Sequence, residues 1–213
     1  MMARIIIADD HPLFRGALCQ AVLKLWPKAE LVEAETVAAA REAASTKPAD
    51  LLLLDLHMED SDGLTPLLDF RHDFPALPVV VVSASEESRV VRACQSLGAS
   101  GFIPKSVDLD VMREALAHIR DGDVWFDADV IQNEDDTILF EKLASLTPAQ
   151  RRILNLVSEG MLNKQIAYQM EISEATVKAH ITAIFRKLDV VNRTQAVLVA
   201  KQLDVELPEV KSV

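Results

Sequence analysis

Between residues 4 and 120, five short, almost unbroken aliphatic runs alternate with five stretches of helical periodicity. Few folds accept that rhythm. The runs are 4–8, 31–34, 51–54, 79–82 and 101–103, and their continuity suits parallel strands covered on both faces rather than strands with one wet side. Between the first two, Leu13, Phe14, Ala17, Leu18, Ala21, Val22 and Leu25 recur every three or four residues, as one face of a helix does. Stretches 37–44, 64–74, 88–97 and 109–119 repeat the pattern. The expected fold is an α/β doubly wound five-stranded parallel sheet, the flavodoxin-like arrangement, occupying residues 1–121.

The alternation stops after Asp121, where Asp127, Asp129, Glu134, Asp135 and Asp136 predict an acidic linker over 122–142, with scattered apolar residues that allow part of it to be helical. Beyond it, over 143–213, every signal is helical. Thr147-Pro148-Ala149-Gln150 reads as an N-cap, a proline at the first helical position and a capping-box glutamine. Asn163 and Ser173 are expected to cap a short and a longer helix around a three-residue turn, and Asn192 to cap a last one. The result is a smaller all-α domain of four helices built around a helix-turn-helix unit.

The chain carries a net charge of −11, which taken alone argues against nucleic acid. Its distribution argues otherwise. Residues 1–125 carry −8 and 126–142 carry −5, whereas 143–193 carry +3, so the helical part alone is suited to phosphates. The purest apolar runs are far shorter than the roughly 20 residues of a membrane span. No secretory leader pattern follows Met1, so a cytoplasmic location without membrane attachment is expected. Cys19 and Cys94, far apart within helical patterns, predict buried thiols and no zinc cluster.

Ligands of open α/β sheets bind outside the carboxyl ends of the strands. Here those ends carry Asp9 and Asp10, then Asp55, Ser83 and, two residues on, Lys105. Carboxylates gathered at one sheet edge repel one another and invite a hard divalent cation, with Mg²⁺ the usual choice where water and phosphate complete its shell. Ser83 and Lys105 add the hydroxyl and ammonium that a phosphoryl group needs, leaving Asp55 as the central nucleophile. Any one of these acids could be no more than a helix cap. Their conjunction on successive strands makes capping alone a poor account.

In the helical part, Val177, Ile181, Ile184, Phe185 and Leu188 form an apolar stripe, and the opposite arc presents Ala175, Lys178, Ala179, Thr182, Ala183 and Arg186. Small residues among polar ones let a helix sit deep in a major groove. Lys178, Thr182 and Ala179 are placed for base edges, and Lys164, Arg186, Lys187 and Arg193 for phosphates. His180, near the edge of the stripe, reads as a packing residue. A solvated helix face with ordinary charges is the plainer alternative.

On these residues the chain resembles two-component response regulators of the NarL/LuxR type. The receiver-like acids, Ser83 and Lys105 carry the first half of the resemblance. Leu146-Thr147-Pro148, Asn163-Lys164-Gln165-Ile166-Ala167, the run from Ser173 through Thr176 to His180, and Asn192-Arg193-Thr194 carry the second. The resemblance implies phosphorylation of Asp55, metal ligands from Asp9, Asp10, Asp55 and the backbone carbonyl of His57, and an aromatic switch at Phe102. It implies DNA contacts that include Thr176, a sensor histidine kinase as donor, double-stranded DNA and RNA polymerase as partners, and a homodimer on DNA formed through the last helix. Four places depart from the family pattern: Glu59 stands where many receivers have proline, Pro104 precedes Lys105 where proline commonly follows, Gln150 replaces a common glutamate, and Thr182 stands where some members have a basic or amide residue. The expected role is a phosphorylation-controlled transcription factor and not an enzyme. Its rivals are a phosphotransfer enzyme working through an aspartyl phosphate and a regulator independent of phosphate.

Overall fold

The computed structural model describes residues 2–61, 63–126 and 134–201, which form two compact units that part between Asn133 and Glu134. In the first unit β1 (Arg4–Ala8), β2 (Glu30–Ala34), β3 (Leu51–Asp55), β4 (Val79–Ser83) and β5 (Gly101–Pro104) alternate with α1 (Pro12–Leu25), α2 (Val37–Thr46), α3 (Thr65–Asp73), α4 (Ser88–Ser96) and α5 (Leu109–Arg120). The sheet is parallel throughout, in the order β2-β1-β3-β4-β5. Side chains alternate across it. Ile5, Ile7, Leu53, Val80, Val82 and Ile103 pack with Leu18 and Val22 of α1 and Met112 and Leu116 of α5, while Ile6, Leu52, Leu54, Val81 and Phe102 are buried on the other face. Burial on both faces is what the uninterrupted aliphatic runs require, at roughly 1.5–3 kcal/mol for each fully buried Leu, Ile or Val.

This strand order has one consequence for function. The chain leaves β1 toward β2 on one side and returns as β3 on the other, so the crevice of the fold opens at the carboxyl ends of β1 and β3. Asp9 follows the last residue of β1, and Asp55 is the last residue of β3.

After α5 the chain returns to the sheet. Trp125 N–H donates to Ser100 O at 3.1 Å and Phe102 N–H to Trp125 O at 2.8 Å, a parallel bridge along the outer edge of β5. Gly101 permits the approach, because a Cβ there would meet Trp125 O at 3.0 Å and Ile119 Cδ1 at 3.1 Å. The start of the expected linker is therefore part of the sheet edge. Asp127 and Asp129, also expected in the linker, lie outside the described residues.

The second unit contains α6 (Glu134–Ala144), α7 (Pro148–Ser158), α8 (Asn163–Gln169), α9 (Glu174–Leu188) and α10 (Arg193–Ala200). It has one helix more than the expected four. The back half of the expected linker forms α6, since Phe140 and Leu143, three residues apart, bury completely and their helix packs on α9. Thr147 and Gln150 make the reciprocal capping box, and Ser173 and Asn192 accept from Thr176 N–H and Gln195 N–H. The α8 cap departs from expectation. Leu162 takes the cap position, its N–H donating to Gln165 Oε1 at 2.7 Å, and Asn163 becomes the first helical residue. Between α8 and α9 the chain turns through Glu171, whose φ of 55° is left-handed, and the Ile172 N–H closes back on Ala167 O.

Candidate functional site

The candidate pocket is built at the switch point of the sheet. Asp9 is wholly buried: Oδ1 accepts the His11 N–H at 2.8 Å, Oδ2 lies 2.7 Å from the Lys105 ammonium, and its backbone N–H donates to Ala34 O. Asp55 is equally enclosed. Its Oδ2 accepts from Lys105 Nζ at 2.7 Å and its Oδ1 accepts the His57 N–H at 3.0 Å. Asp10 is half-buried, with Oδ2 accepting the Glu59 N–H at 3.1 Å and Oδ1 2.7 Å from His11 Nδ1.

Lys105 reaches the acids because β5 ends one residue earlier and its own N–H is pinned to Ser83 O at 2.7 Å. The ammonium bridges two carboxylates and lies 4.7 Å from the centre of the Phe14 ring, a cation-π contact. Ser83, fully buried at the end of β4, has its hydroxyl 3.3 Å from His57 Nδ1 and accepts the Ser85 N–H at 3.2 Å. Phe102 lies buried in β5.

The two innermost acids differ in electrostatic state. Burial pushes the Asp9 carboxyl above its ordinary range, and the Lys105 ammonium only partly offsets it, with Asp55 adding repulsion. Burial acts on Asp55 too, but hydrogen bonding from His57 and the charge and hydrogen bond of Lys105 outweigh it and hold Asp55 below the ordinary carboxylate range. The same burial thus leaves the two acids shifted in opposite directions, and the difference lies in the hydrogen bonds that Asp55 accepts.

Asp9, Asp10, His11 and Asp55 each offer one ligand atom, all within 4.8 Å of one another. Three of the four donors are carboxylates, the hard oxygen chemistry of Mg²⁺ or Mn²⁺ and unlike the His/Cys sets of zinc. The donor set fits a hard divalent cation. His57 stands in the loop directly after β3, two residues beyond Asp55. Sequence reasoning named the acids, Ser83 and Lys105 but missed His11, Phe14, Arg15 and the Glu59 amide. His11, adjacent to the acid pair, and Glu59, which stands where proline is common, carried a signal in their positions.

The helical unit presents a second candidate surface. On α9, Val177, Ile184 and Leu188 are buried, whereas Thr176, Lys178, Ala179, Thr182 and Arg186 are exposed along one side, with Lys164 exposed on α8. Among the described residues Lys178 pairs with Glu174 one turn earlier, at 2.9 Å. Lys187 and Arg193, expected at phosphates, are engaged inside the domain. Lys187 Nζ donates to Ser145 O at 2.6 Å and Gln150 Oε1 at 2.9 Å, and Arg193 Nη2 donates to the carbonyls of Val157 and Met161. These carbonyls close the ends of α6 and α7, and a cation satisfies them directly. No helix among the described residues is long and apolar enough to cross a membrane.

Comparison with known proteins agrees with this division. The response regulator receiver domain matches residues 5–117, and the LuxR family of bacterial regulatory proteins matches 144–200. The chain is 40% identical to the glycerol metabolism activator of Pseudomonas putida, over 95% of this chain and 97% of the relative. It is 34% identical to the nitrate/nitrite response regulator protein NarP of Escherichia coli, over 93% and 94%. Among solved structures it is similar to RcsB of Salmonella enterica serovar Typhimurium bound to promoter rprA in the presence of the phosphomimetic BeF3⁻. That match has a TM-score of 0.55 and 25% identity and covers 94% of this chain and 98% of the other.

Proposed function

As the chain belongs to the two-component response regulators of the NarL/LuxR type, with a receiver domain and a LuxR-type DNA-binding domain, we propose that a phosphoryl group taken up on Asp55 controls its binding to DNA. The observation that carries this reading is Lys105 Nζ held 2.7 Å from both Asp9 and Asp55, which gathers nucleophile, acids and counter-charge at one rim. The donor is the phosphohistidine of a sensor kinase. In the transfer the phosphorus–nitrogen bond breaks, a bond from an Asp55 carboxylate oxygen to phosphorus forms, and the imidazole leaves.

Asp9, Asp10, Asp55 and the backbone carbonyl of His57 would hold Mg²⁺, which when bound neutralises charge on the transferred oxygens. The lowered carboxyl of Asp55 keeps the nucleophile ionised. Lys105 then exchanges its hold on Asp55 for a phosphoryl oxygen, and the Ser83 hydroxyl takes another. Those movements pull on β4 and β5, where Phe102 and the Trp125 bridge adjoin the exit from the receiver. The domain from α6 to α10 binds double-stranded DNA as a homodimer, Lys178, Ala179 and Thr182 reading bases, and Thr176, Lys164 and Arg186 positioning the backbone. RNA polymerase is the downstream partner, and the protein acts as a regulator rather than as a turnover enzyme.

The test uses the full chain, a small-molecule phosphodonor and Mg²⁺. Native protein is expected to incorporate phosphate, and Asp55→Asn to incorporate none and to lose the phosphodonor-dependent gain in DNA affinity. Undiminished labelling of Asp55→Asn would refute the assignment.

A further inference from the structure

We infer that Arg15 is a positioning residue for the acidic pocket, fixing the backbone from which Asp9 and Asp10 project and thereby the affinity for a divalent cation. The inference rests on reading this pocket as a cation site.

Arg15 lies on α1, one turn after the cap residue His11, whose carbonyl accepts the Arg15 N–H at 2.9 Å. Its side chain is only 9% exposed, and a guanidinium that far from water needs a partner for each donor edge. It finds three. Nη1 donates to Asp9 O at 2.6 Å, Nε to Glu33 Oε2 at 3.0 Å and Nη2 to Glu35 Oε1 at 2.8 Å. One planar group therefore ties the β1–α1 loop to β2 and to the loop after it.

The Asp9 carbonyl belongs to the peptide group that joins Asp9 to Asp10. Asp9 is otherwise secured at its N–H by Ala34 O and at its side chain by His11 and Lys105. Asp10 has fewer anchors, its carboxylate meeting only the Glu59 N–H and the His11 ring among the described residues. The plane of that peptide determines where Asp10 points, and Arg15 holds the plane. Lysine, with a compact ammonium in place of a fork, cannot span the same three acceptors.

The sign of the effect separates positioning from charge. Arg15 is a cation beside a group of carboxylates, so by Coulomb attraction alone its loss would make the pocket more negative and tighten cation binding. Charge alone therefore predicts tighter binding on loss of Arg15, whereas a positioning role requires that loss to weaken binding.

The experiment titrates full-length native protein, R15K and R15Q with MgCl₂ in a calorimeter, at a temperature where circular dichroism shows each folded. Both variants are expected to bind Mg²⁺ about tenfold more weakly, the usual cost of losing a group that orients a metal ligand. Unchanged or tighter binding by folded R15K and R15Q, beside normal binding by native protein, would overturn this inference alone. Native protein that takes up no Mg²⁺ would overturn the cation reading and this inference with it. If neither variant folds, E35Q decides, titrated in about 1 M KCl, where the loss of one exposed charge is screened and only the lost tether is read. Glu35 is exposed and supplies one of the three partners, so E35Q is expected to weaken binding roughly twofold, and unchanged affinity there overturns the proposal.

Discussion

The backbone N–H of Glu59 lies 3.1 Å from Oδ2 of Asp10, so the loop that follows β3 braces the acid that follows β1. Proline, common at this place in related receivers, has no N–H to give. Glu59→Pro is expected to free the Asp10 carboxylate and raise the dissociation constant for Mg²⁺ roughly threefold, the low end of what one hydrogen bond contributes when water competes for it. Glu59→Ala keeps the amide and should bind as native protein does. Calorimetric titration of both variants checks this, and equal affinities would show that the amide is immaterial.

Asp9 and Asp55 contribute to stability with opposite signs. The Asp9 carboxyl is raised in the folded state, mainly by burial, so the folded protein holds its proton more tightly than the unfolded chain. Its charged form costs stability at neutral pH, and that cost disappears as pH falls through the folded value toward the unfolded one. Asp55 is lowered, its stabilisation being complete above the unfolded value and lost as pH falls through the folded one. In metal-free buffer Asp9→Asn should therefore be about 1 kcal/mol more stable than native protein at neutral pH. The gap should close on acidification to the ordinary carboxylate range. Urea unfolding across that window measures it, and a destabilised Asp9→Asn at neutral pH would contradict the balance.

Much of this was legible in the sequence because burial writes itself there. The runs at 51–54 and 79–82 are apolar at every position since both faces of β3 and β4 are covered. The acids, Ser83 and Lys105 stood at strand ends, and strand ends in a parallel sheet share a rim. The cap at Leu162 was hidden because the group that fills it, the Gln165 carboxamide, belongs to a side chain with many other uses. A partly helical linker was legible, but not that its helix α6 packs as part of the domain, because its two buried residues, Phe140 and Leu143, sit beyond a run of acids that reads as a solvated connector. Arg15 was not legible, since its key partner is the Asp9 carbonyl, which has no side-chain identity to read. The Glu59 amide left only an indirect mark, a residue other than proline at its position.

The capping box at Thr147 opens α7, whose Ile153, Leu154 and Val157 are buried in the helical unit. Thr147→Ala removes the acceptor for the Gln150 N–H and leaves it unpaired. The variant should lose about 1 kcal/mol of stability. Thr147→Ser should restore most of it. Thermal unfolding of the three proteins provides the comparison, and an unchanged midpoint for Thr147→Ala would mean that the cap is energetically idle.

Lys178 and Lys187 occupy the same helix but have different surroundings, and their variants should fail differently. Lys178 is exposed and, among the described residues, pairs only with the exposed Glu174, so its ammonium is available to a base edge or a phosphate at little cost. Lys178→Ala is expected to weaken binding to a target duplex by about 1–3 kcal/mol and to narrow the gap between target and random sequence. Lys187 already donates to Ser145 O and Gln150 Oε1. Lys187→Met should therefore lower the unfolding midpoint while leaving the salt dependence of DNA binding close to native, because no phosphate contact is removed. Titrations of labelled duplex at several salt concentrations, beside thermal melts, separate the two. A Lys187→Met protein whose salt slope falls by about one phosphate contact would return that lysine to the DNA surface.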